Sequence, residues 1–350
     1  MKRRYSREIH IGNISVGGNS PITIQSMLNT KTVDIDGSLA QIDQLTSVGC
    51  DLVRLAVPDE QSAEAFKVIA DKCGLPLIAD VHYSYKLAEL AIKAGAKKLR
   101  MNPGNMATDA ENIKNLVQML KDYNIPVRIG VNGGSLDKRF KNMSEDDALV
   151  ASALSTADMF EKFGFSDLII AIKASNVQTM IESNRKLAKM CEYPLHLGVT
   201  EAGTLKSGLV KSSIGIGTLL GEGIGDTIRV SLSAPVVEEV IAGKTILKAL
   251  GLRNTGVEVV SCPTCARTEI DVQGLAEEVE RLTASIEKPL KISVMGCPLN
   301  GIGEGEGSDI GIAGGNEKSV LLKNGEIYKT IESKHLMTEF MSLLDEVLQN

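Results

Sequence analysis

Between residues 20 and 250 the chain alternates short runs of aliphatic and β-branched residues with longer stretches whose apolar positions recur every three or four residues. The short runs are "ITIQSM" (22–27), "LVRLAV" (52–57), "LPLIADV" (75–81), "KLRMN" (98–102), "VRIGVN" (127–132), "LIIAIKA" (168–174), "LHLGVTE" (195–201) and "TIRVSLS" (227–233). Each precedes a stretch with helical spacing, as "DAENIKNLVQMLKDY" does after the fourth. Gly and Pro mark the breaks at "VGC", "CGLP", "KAGA", "NIP", "KFGF" and "EYP". Eight strand–helix units in succession predict an α/β fold, a (β/α)8 TIM barrel over residues 1–250. The glycines of "IGIGTLLGEGIGD" (214–226) have the wrong spacing for a dinucleotide loop and follow a helix rather than a strand. After "ALGLRNTG" the pattern changes: "VEVVSC", "LKISVMGC" and "SVLLKNGEIYKTI" read as strands, with helices near 271–285 and 335–348. Residues 251–350 are therefore expected to form a smaller α+β domain.

Composition narrows the class. With 43% hydrophobic and 23% charged residues and a mean hydropathy of +0.03, the chain has the balance of a globular protein. No apolar run approaches the roughly 18 residues of a membrane span, and the basic start "MKRRYSREIHIGN" has no apolar segment behind it. A cytoplasmic, reducing location and no membrane partner are expected. A net charge of −6 and the absence of Trp argue against a nucleic-acid partner.

Active sites of such barrels lie at the carboxyl ends of the strands. Those ends carry Gln25 and Ser26, Arg54, Asp80 and His82, Arg100 and Asn102, Arg128 and Asn132, Lys173, Glu201, then Arg229, Ser231 and Ser233. Alternation puts Arg100 with Asn102, Arg128 with Asn132 and Arg229 with Ser231 on common faces. Five strands thus bring a cation to one mouth, and the nearby carboxylates Asp80 and Glu201 are too few to neutralise them. An isolated arginine at a strand end is usually a structural ion pair. Five converging in an acidic protein point instead to a small polyanion, most simply a diphosphate, held by guanidinium forks. Asn102, Asn132 and Ser231 would add neutral hydrogen bonds, and His82 and Glu201 are candidates for acid–base work.

Of six cysteines, Cys50, Cys73 and Cys191 stand singly beside apolar segments and read as packing residues. Cys262-x-x-Cys265 and Cys297 are clustered late in the chain and read as soft ligands. An iron–sulfur cluster, a zinc site completed by His335 and a redox dithiol all remain open on spacing alone. The run "CPLNGIGEGEG" (297–307) is expected to be a glycine-rich loop offering Glu304 or Glu306 as a non-thiolate ligand.

Taken in order, "PITIQSM", "DLVRLAVP", "ADVHYSYKLA", "LRMNPGN", "VRIGVNGGSL", "IKASN", "LGVTEAG", "GIGDTIRVSLSAP", "SCPTCART" and "VMGCPLNGIGE" resemble the family of 4-hydroxy-3-methylbut-2-enyl diphosphate synthases nearly end to end. The resemblance implies a [4Fe–4S] cluster on Cys262, Cys265 and Cys297, with Glu304 as fourth ligand. It implies 2-C-methyl-D-erythritol 2,4-cyclodiphosphate as substrate, held by Arg54, Arg100, Arg128 and Lys173. It also implies electrons from ferredoxin or flavodoxin, and a homodimer in which the cluster domain of one chain covers the barrel of the other. Ile302 stands where that family usually has Pro, Pro298 replaces an aliphatic residue and Tyr83 replaces Phe.

Overall fold

The computed structural model describes residues 2–82, 84–101, 110–133, 136, 138–140 and 142–349. They divide into two compact units, Met1–Arg253 and Asn254–Asn350.

The first unit opens with a short antiparallel hairpin, β1 (Ile9–Ile11) and β2 (Ile14–Val16). Eight parallel strands follow: β3 (Thr23–Met27), β4 (Leu52–Val57), β5 (Leu77–Val81), β6 (Lys98–Met101), β7 (Val127–Asn132), β8 (Leu168–Lys173), β9 (His196–Leu197) and β10 (Thr227–Ile228). Between and after them run α1 (Ile35–Ser47), α2 (Glu60–Lys72), α3 (Tyr85–Lys93), α4 (Ala110–Tyr123), α5 (Glu145–Glu161), α6 (Val177–Met190), α7 (Leu205–Gly221) and α8 (Val236–Ala249). The order β8-β7-β6-β5-β4-β3-β10-β9, closed by an Ile170–Leu195 bridge, makes the predicted barrel. Its last two ladders are only two residues long, where the sequence pattern runs on to residues 201 and 233. The glycine-rich run 214–226 lies largely within α7, as its spacing requires.

Helix starts are written locally. Asp34, Asp59, Ser84 and Asn176 each accept from the backbone N–H three residues on, which satisfies a donor the helix cannot. Gly95, at φ +98°, lets the chain leave α3 and enter β6 in a backbone state that side chains resist. Strands β5 and β8 are buried on both faces except at Lys173, as a sheet covered outside by helices and filled inside demands. Ile9, Ile11 and Val16 of the hairpin pack on Leu52, Ile78 and Ile169, which share a face with Arg54, Asp80 and Lys173. Those three lie at the amino ends of their strands, so the hairpin plugs the floor of the barrel and leaves the carboxyl ends open.

The second unit is a five-stranded mixed sheet with three helices. Its elements are β11 (Val257–Ser261), α9 (Val272–Thr283), β12 (Leu290–Met295), α10 (Pro298–Glu304), β13 (Ile310–Ala313), β14 (Lys318–Lys323), β15 (Glu326–Glu332) and α11 (Leu336–Gln349). Strands β11, β12 and β13 run parallel, and β13, β14 and β15 antiparallel. The run "SVLLKNGEIYKTI" is a hairpin turning on Asn324 (φ +51°) and Gly325 (φ +79°), the Asn-Gly signature of a tight turn. Val279, Ile292, Val294, Ile310, Ile312, Leu321 and Phe340 form its core.

One expectation is corrected here. The "glycine-rich loop" after Cys297 is the helix α10 over most of its length. Its glycines serve close packing: a Cβ on Gly301 would lie 2.8 Å from those of Ala313 and Met295, and one on Gly305 would lie 2.3 Å from Leu322 Cδ1. Glycine at those two positions lets the helix lie against the sheet, a use that composition cannot distinguish from loop flexibility.

Candidate functional site

The barrel strands carry the predicted cations, though not all at their carboxyl ends: Lys173 ends β8 and Arg229 follows β10, whereas Arg54 lies mid-strand in β4 and Arg128 is the second residue of β7. Arg54 is 8% exposed and Arg128 2%, while Arg100, Lys173 and Arg229 are half-buried. The arginines fall into two kinds. Asp80, 3% exposed, ties three groups together: its Oδ2 lies 3.6 Å from Arg54 Nε, and its Oδ1 3.0 Å from Arg100 Nη1 and 3.3 Å from His82 Nε2. Burial opposes its charge, but Arg54, His82 and Arg100 win and hold its carboxyl far below the usual carboxylate range. Burial pulls Arg54 down to about 9, with Asp80 resisting. Arg54 also directs Nε and Nη2 at Met27 Sδ, at 3.0 and 2.6 Å.

Arg128 is the other kind. Its Nε and Nη1 are buried without a hydrogen-bond partner, and no carboxylate forms an ion pair with it among the described residues. Burial, then Arg54 and Arg100, press its pKa well down. A guanidinium keeps its proton all the same, so the pressure is an electrostatic cost that an arriving anion relieves. Lys173 is under the same pressure from burial, then Arg229 and Arg128. It runs so close over β9 that a Cβ on Gly198 would sit 2.8 Å from its Nζ.

Two participants escaped the sequence reading. Lys98, fully buried, aligns with Arg100 on the inner face of β6 and donates to Gln25 Oε1 at 3.3 Å. Burial, then Arg128 and Arg54, push its pKa well below the usual lysine range. Its place two residues before Arg100 in an alternating strand was the available signal. Glu239, 4% exposed, is the missing counter-ion of Arg229, with Nε–Oε2 and Nη2–Oε1 both at 3.4 Å. It lies on the buried stripe of α8 beside Val236, Val240 and Gly243. A carboxylate on an apolar stripe marks itself in sequence.

The remaining mouth residues are placed as follows. His82 follows β5, and Arg100 Nη1 approaches its Nε2 to 3.1 Å. Asn132 ends β7 in register with Lys173, and Ser231 is half-buried two residues past Arg229. Glu201 is exposed, makes no ion pair among the described residues and holds φ +52°. The other non-glycine residues with positive φ are asparagines, which tolerate it; a glutamate there is strained, as residues at functional sites often are. Asn102 lies outside the described residues. His196 is fully buried beneath the mouth, its pKa driven down by burial and then by Arg128 and Lys173. A groove of about 340 Å³ between α5 and α6, lined by Met143, Asp147, Val150, Ala151, Lys186, Lys189 and Met190, includes none of the cations of the barrel interior.

In the second unit the cysteines occupy one edge of the sheet. Cys262 follows β11 and Cys297 follows its parallel neighbour β12, where it stands as N-cap of α10. The Gly296 N–H donates to Cys262 Sγ at 3.2 Å. The Arg267 N–H, against slight burial, and then the Thr268 hydroxyl lower the Cys265 pKa and favour the thiolate. Glu304 is exposed at the far end of α10, and Glu306 and His335 are exposed too. No three His, Cys, Asp or Glu side chains among the described residues are assembled as a metal site. The donor set nevertheless fits an iron–sulfur cluster: three thiols on one edge, two of them with N–H or O–H donors that stabilise a thiolate. Cys50, by contrast, is buried and its thiol is pushed up to about 12 by that burial, as a packing residue should be.

Residues 6–244 match the GcpE TIM-barrel domain, and residues 258–346 the GcpE protein C-terminal domain. The chain is 51% identical over 350 residues to the 4-hydroxy-3-methylbut-2-en-1-yl diphosphate synthase (flavodoxin) of Caldanaerobacter subterraneus, covering 99% of this chain and 98% of that protein. The Fusobacterium nucleatum protein of the same name is 49% identical, with 99% of each covered. Among solved structures, a 3-dehydroquinate dehydratase from Geobacillus kaustophilus aligns with a TM-score of 0.52 at 15% identity, over 71% of this chain and 98% of that one. A dihydropteroate synthase from Stenotrophomonas maltophilia also gives 0.52, at 14% identity over 70% and 98%. At such identity these two speak for the barrel alone.

Proposed function

The chain belongs to the GcpE family, and from that premise we propose that it is a 4-hydroxy-3-methylbut-2-enyl diphosphate synthase. It opens the ring of 2-C-methyl-D-erythritol 2,4-cyclodiphosphate and removes one hydroxyl. The balance is two electrons and two protons in, and one water out with the allylic diphosphate. The observation that carries the substrate reading is Arg128, a buried guanidinium with two nitrogens lacking an acceptor among the described residues, in a barrel that also holds Lys173, Arg54, Arg100 and Arg229.

In this reading Arg128 and Lys173 take the diphosphate first, since neither is neutralised by a bonded carboxylate among the described residues. Arg54, Arg100 and Arg229 complete the cradle while keeping their buried acids. Asn132, Ser231 and Asn102 supply neutral hydrogen bonds. His82 has a partner in both charge states: the neutral ring accepts from Arg100, and a protonated one donates to Asp80. That suits it to deliver a proton to a leaving oxygen. Glu201, poised on strained backbone, orients the reacting hydroxyl.

A [4Fe–4S] cluster, held by Cys262, Cys265, Cys297 and Glu304, would supply the two electrons one at a time, drawn from flavodoxin as the relatives' names indicate or from a ferredoxin. The short connector after α8 supports reading the assembly as a homodimer in which each cluster domain serves the other chain's barrel. That helix ends at the floor of the barrel, and "LRNTG" is short against a barrel height of roughly 30 Å at about 3.3–3.6 Å per residue. The test is anaerobic purification: brown protein with about four irons per chain, converting the cyclic diphosphate with reduced flavodoxin, is expected. Colourless protein carrying one zinc and no such turnover would replace this reading with that of a zinc-stabilised anion-binding barrel.

A further inference from the structure

Four donors on three residues surround the Glu239 carboxylate in the first unit. Its Oε2 accepts from Ser26 Oγ of β3 at 3.2 Å and from Arg229 Nε at 3.4 Å. Its Oε1 accepts from Arg229 Nη2 at 3.4 Å and from the Leu232 N–H, on the chain leaving β10, at 3.1 Å. Each oxygen therefore has two donors. The carboxylate is all but closed to solvent, and the Arg229 side chain is 16% exposed.

That arrangement does more than neutralise a cation. By occupying the Nε–Nη2 edge of the guanidinium, Glu239 leaves the Nη1 end, 3.7 Å from Met27 Sδ, as the end presented to the mouth. By taking the Leu232 N–H it also fixes the backbone next to Ser231. Helix α8 anchors the acid from behind, through Val236, Val240 and Gly243 buried on the same stripe. Ridges of that helix pack on β3, where a Cβ on Gly243 would sit 3.2 Å from Ile24 Cγ2. The carboxylate is thus held by elements that do not depend on Arg229.

We propose that Glu239 is a positioning residue: it sets the direction of Arg229, and the height of Ser231 beside it, before the diphosphate arrives. This rests on the diphosphate reading of the mouth. Orienting an arginine in advance removes a rotamer cost from binding, so the effect falls on substrate affinity and leaves the chemical step nearly alone. An amide in place of the carboxylate keeps one acceptor but turns an NH2 toward Arg229, donor against donor, and the guanidinium is released.

The experiment is a cycle of four holoenzymes: the parent, Glu239→Gln, Arg229→Met and the double variant. Each is assayed for KM and kcat with the cyclic diphosphate, for inhibition by inorganic pyrophosphate, for melting temperature and for cluster absorbance. Glu239→Gln is expected to raise KM and the pyrophosphate inhibition constant about tenfold, the scale of one charge-assisted hydrogen bond, with kcat within about threefold. In the Arg229→Met background the same substitution should add nothing. Losses that multiply in the double variant, or a Glu239→Gln enzyme with unchanged KM beside an impaired Arg229→Met one, would overturn the role of Glu239 and leave the site reading standing. An unchanged KM in Arg229→Met would remove both. Should Glu239→Gln melt too low to assay, Glu239→Asp, which keeps the charge but draws it about one methylene away, runs the same cycle with the same expected non-additivity.

Discussion

At the barrel mouth the charged groups are in place before any ligand is. Strands fixed on both faces hold Arg54, Arg100 and Arg229 against Asp80 and Glu239, and keep Arg128 and Lys98 buried with no bonded acid among the described residues. In the second unit the candidate ligands Cys262 and Cys297 lie past the carboxyl ends of two adjacent parallel strands, and no metal site is assembled among the described residues. The difference follows from what holds each group. A cation on a strand is positioned by the ladder and packing around it, which exist without the substrate. The thiols, by contrast, follow the carboxyl ends of two parallel strands, and their charge as ligands depends on the metal they bind. The mouth stores a cost that the ligand relieves.

The sharpest break should come at the edge. Cys297→Ser is expected to remove the cluster and with it all but about 1% of turnover or less, because three thiols are already the fewest that hold a cubane. Pyrophosphate binding by the barrel should persist. Mixed with an Arg128→Met enzyme under subunit exchange, it should regain activity if the barrel and cluster of different chains cooperate. Iron analysis and mixed-subunit assays check both, and exchange without recovery would exclude an in-trans site.

Next in size, Arg128→Met should separate binding from stability. Loss of its anion contact is expected to cost about 2–4 kcal/mol in kcat/KM. Replacing an unpartnered buried cation by an apolar side chain should raise unfolding stability by about 1–4 kcal/mol. Opposite signs in kinetics and denaturant melts would mark a stored cost; a variant that loses both would show that Arg128 has a structural partner. Glu304→Cys should keep or strengthen the cluster yet slow turnover by about tenfold or more, since a thiolate is a less exchangeable ligand to iron than a carboxylate. Normal turnover with full iron content would remove Glu304 from the exchangeable position.

The smallest effect is a pH dependence. Burial lowers the Lys98 pKa in the folded state, so between that value and the unfolded value of about 10.4 the unfolded chain binds more protons. Its contribution therefore makes the fold more stable as pH rises toward about 10. Lys98→Met should stabilise the protein at pH 7 and flatten that rise between about pH 8 and 10, as urea melts across the range would read. An unchanged slope would mean Lys98 stays charged.

The barrel was legible in sequence because each strand–helix unit announces itself through local periodicity and the Gly or Pro that breaks it, as in "KAGA" and "EYP". The mouth cations were legible for a related reason: a charge inside an apolar strand has few places to go. The hairpin β1–β2 was missed because two three-residue strands carry too little pattern, and its role as a floor depends on Leu52, Ile78 and Ile169 far along the chain. The helix α10 was misread because glycines that permit close packing and glycines that permit bending are the same letter.

By itself, then, the order of residues determined the βα period, the identity of the strand-end cations and the grouping of Cys262, Cys265 and Cys297, all encoded within a few neighbours. Only the tertiary structure decided which cations are neutralised. Asp80 answers Arg54 and Arg100 from adjacent strands, and Glu239 answers Arg229 from the next helix. Among the described residues Arg128 and Lys98 are left without a bonded acid. Pairing is a matter of a few ångströms between side chains, and burial multiplies its energy; neither distance nor burial is written in a local pattern.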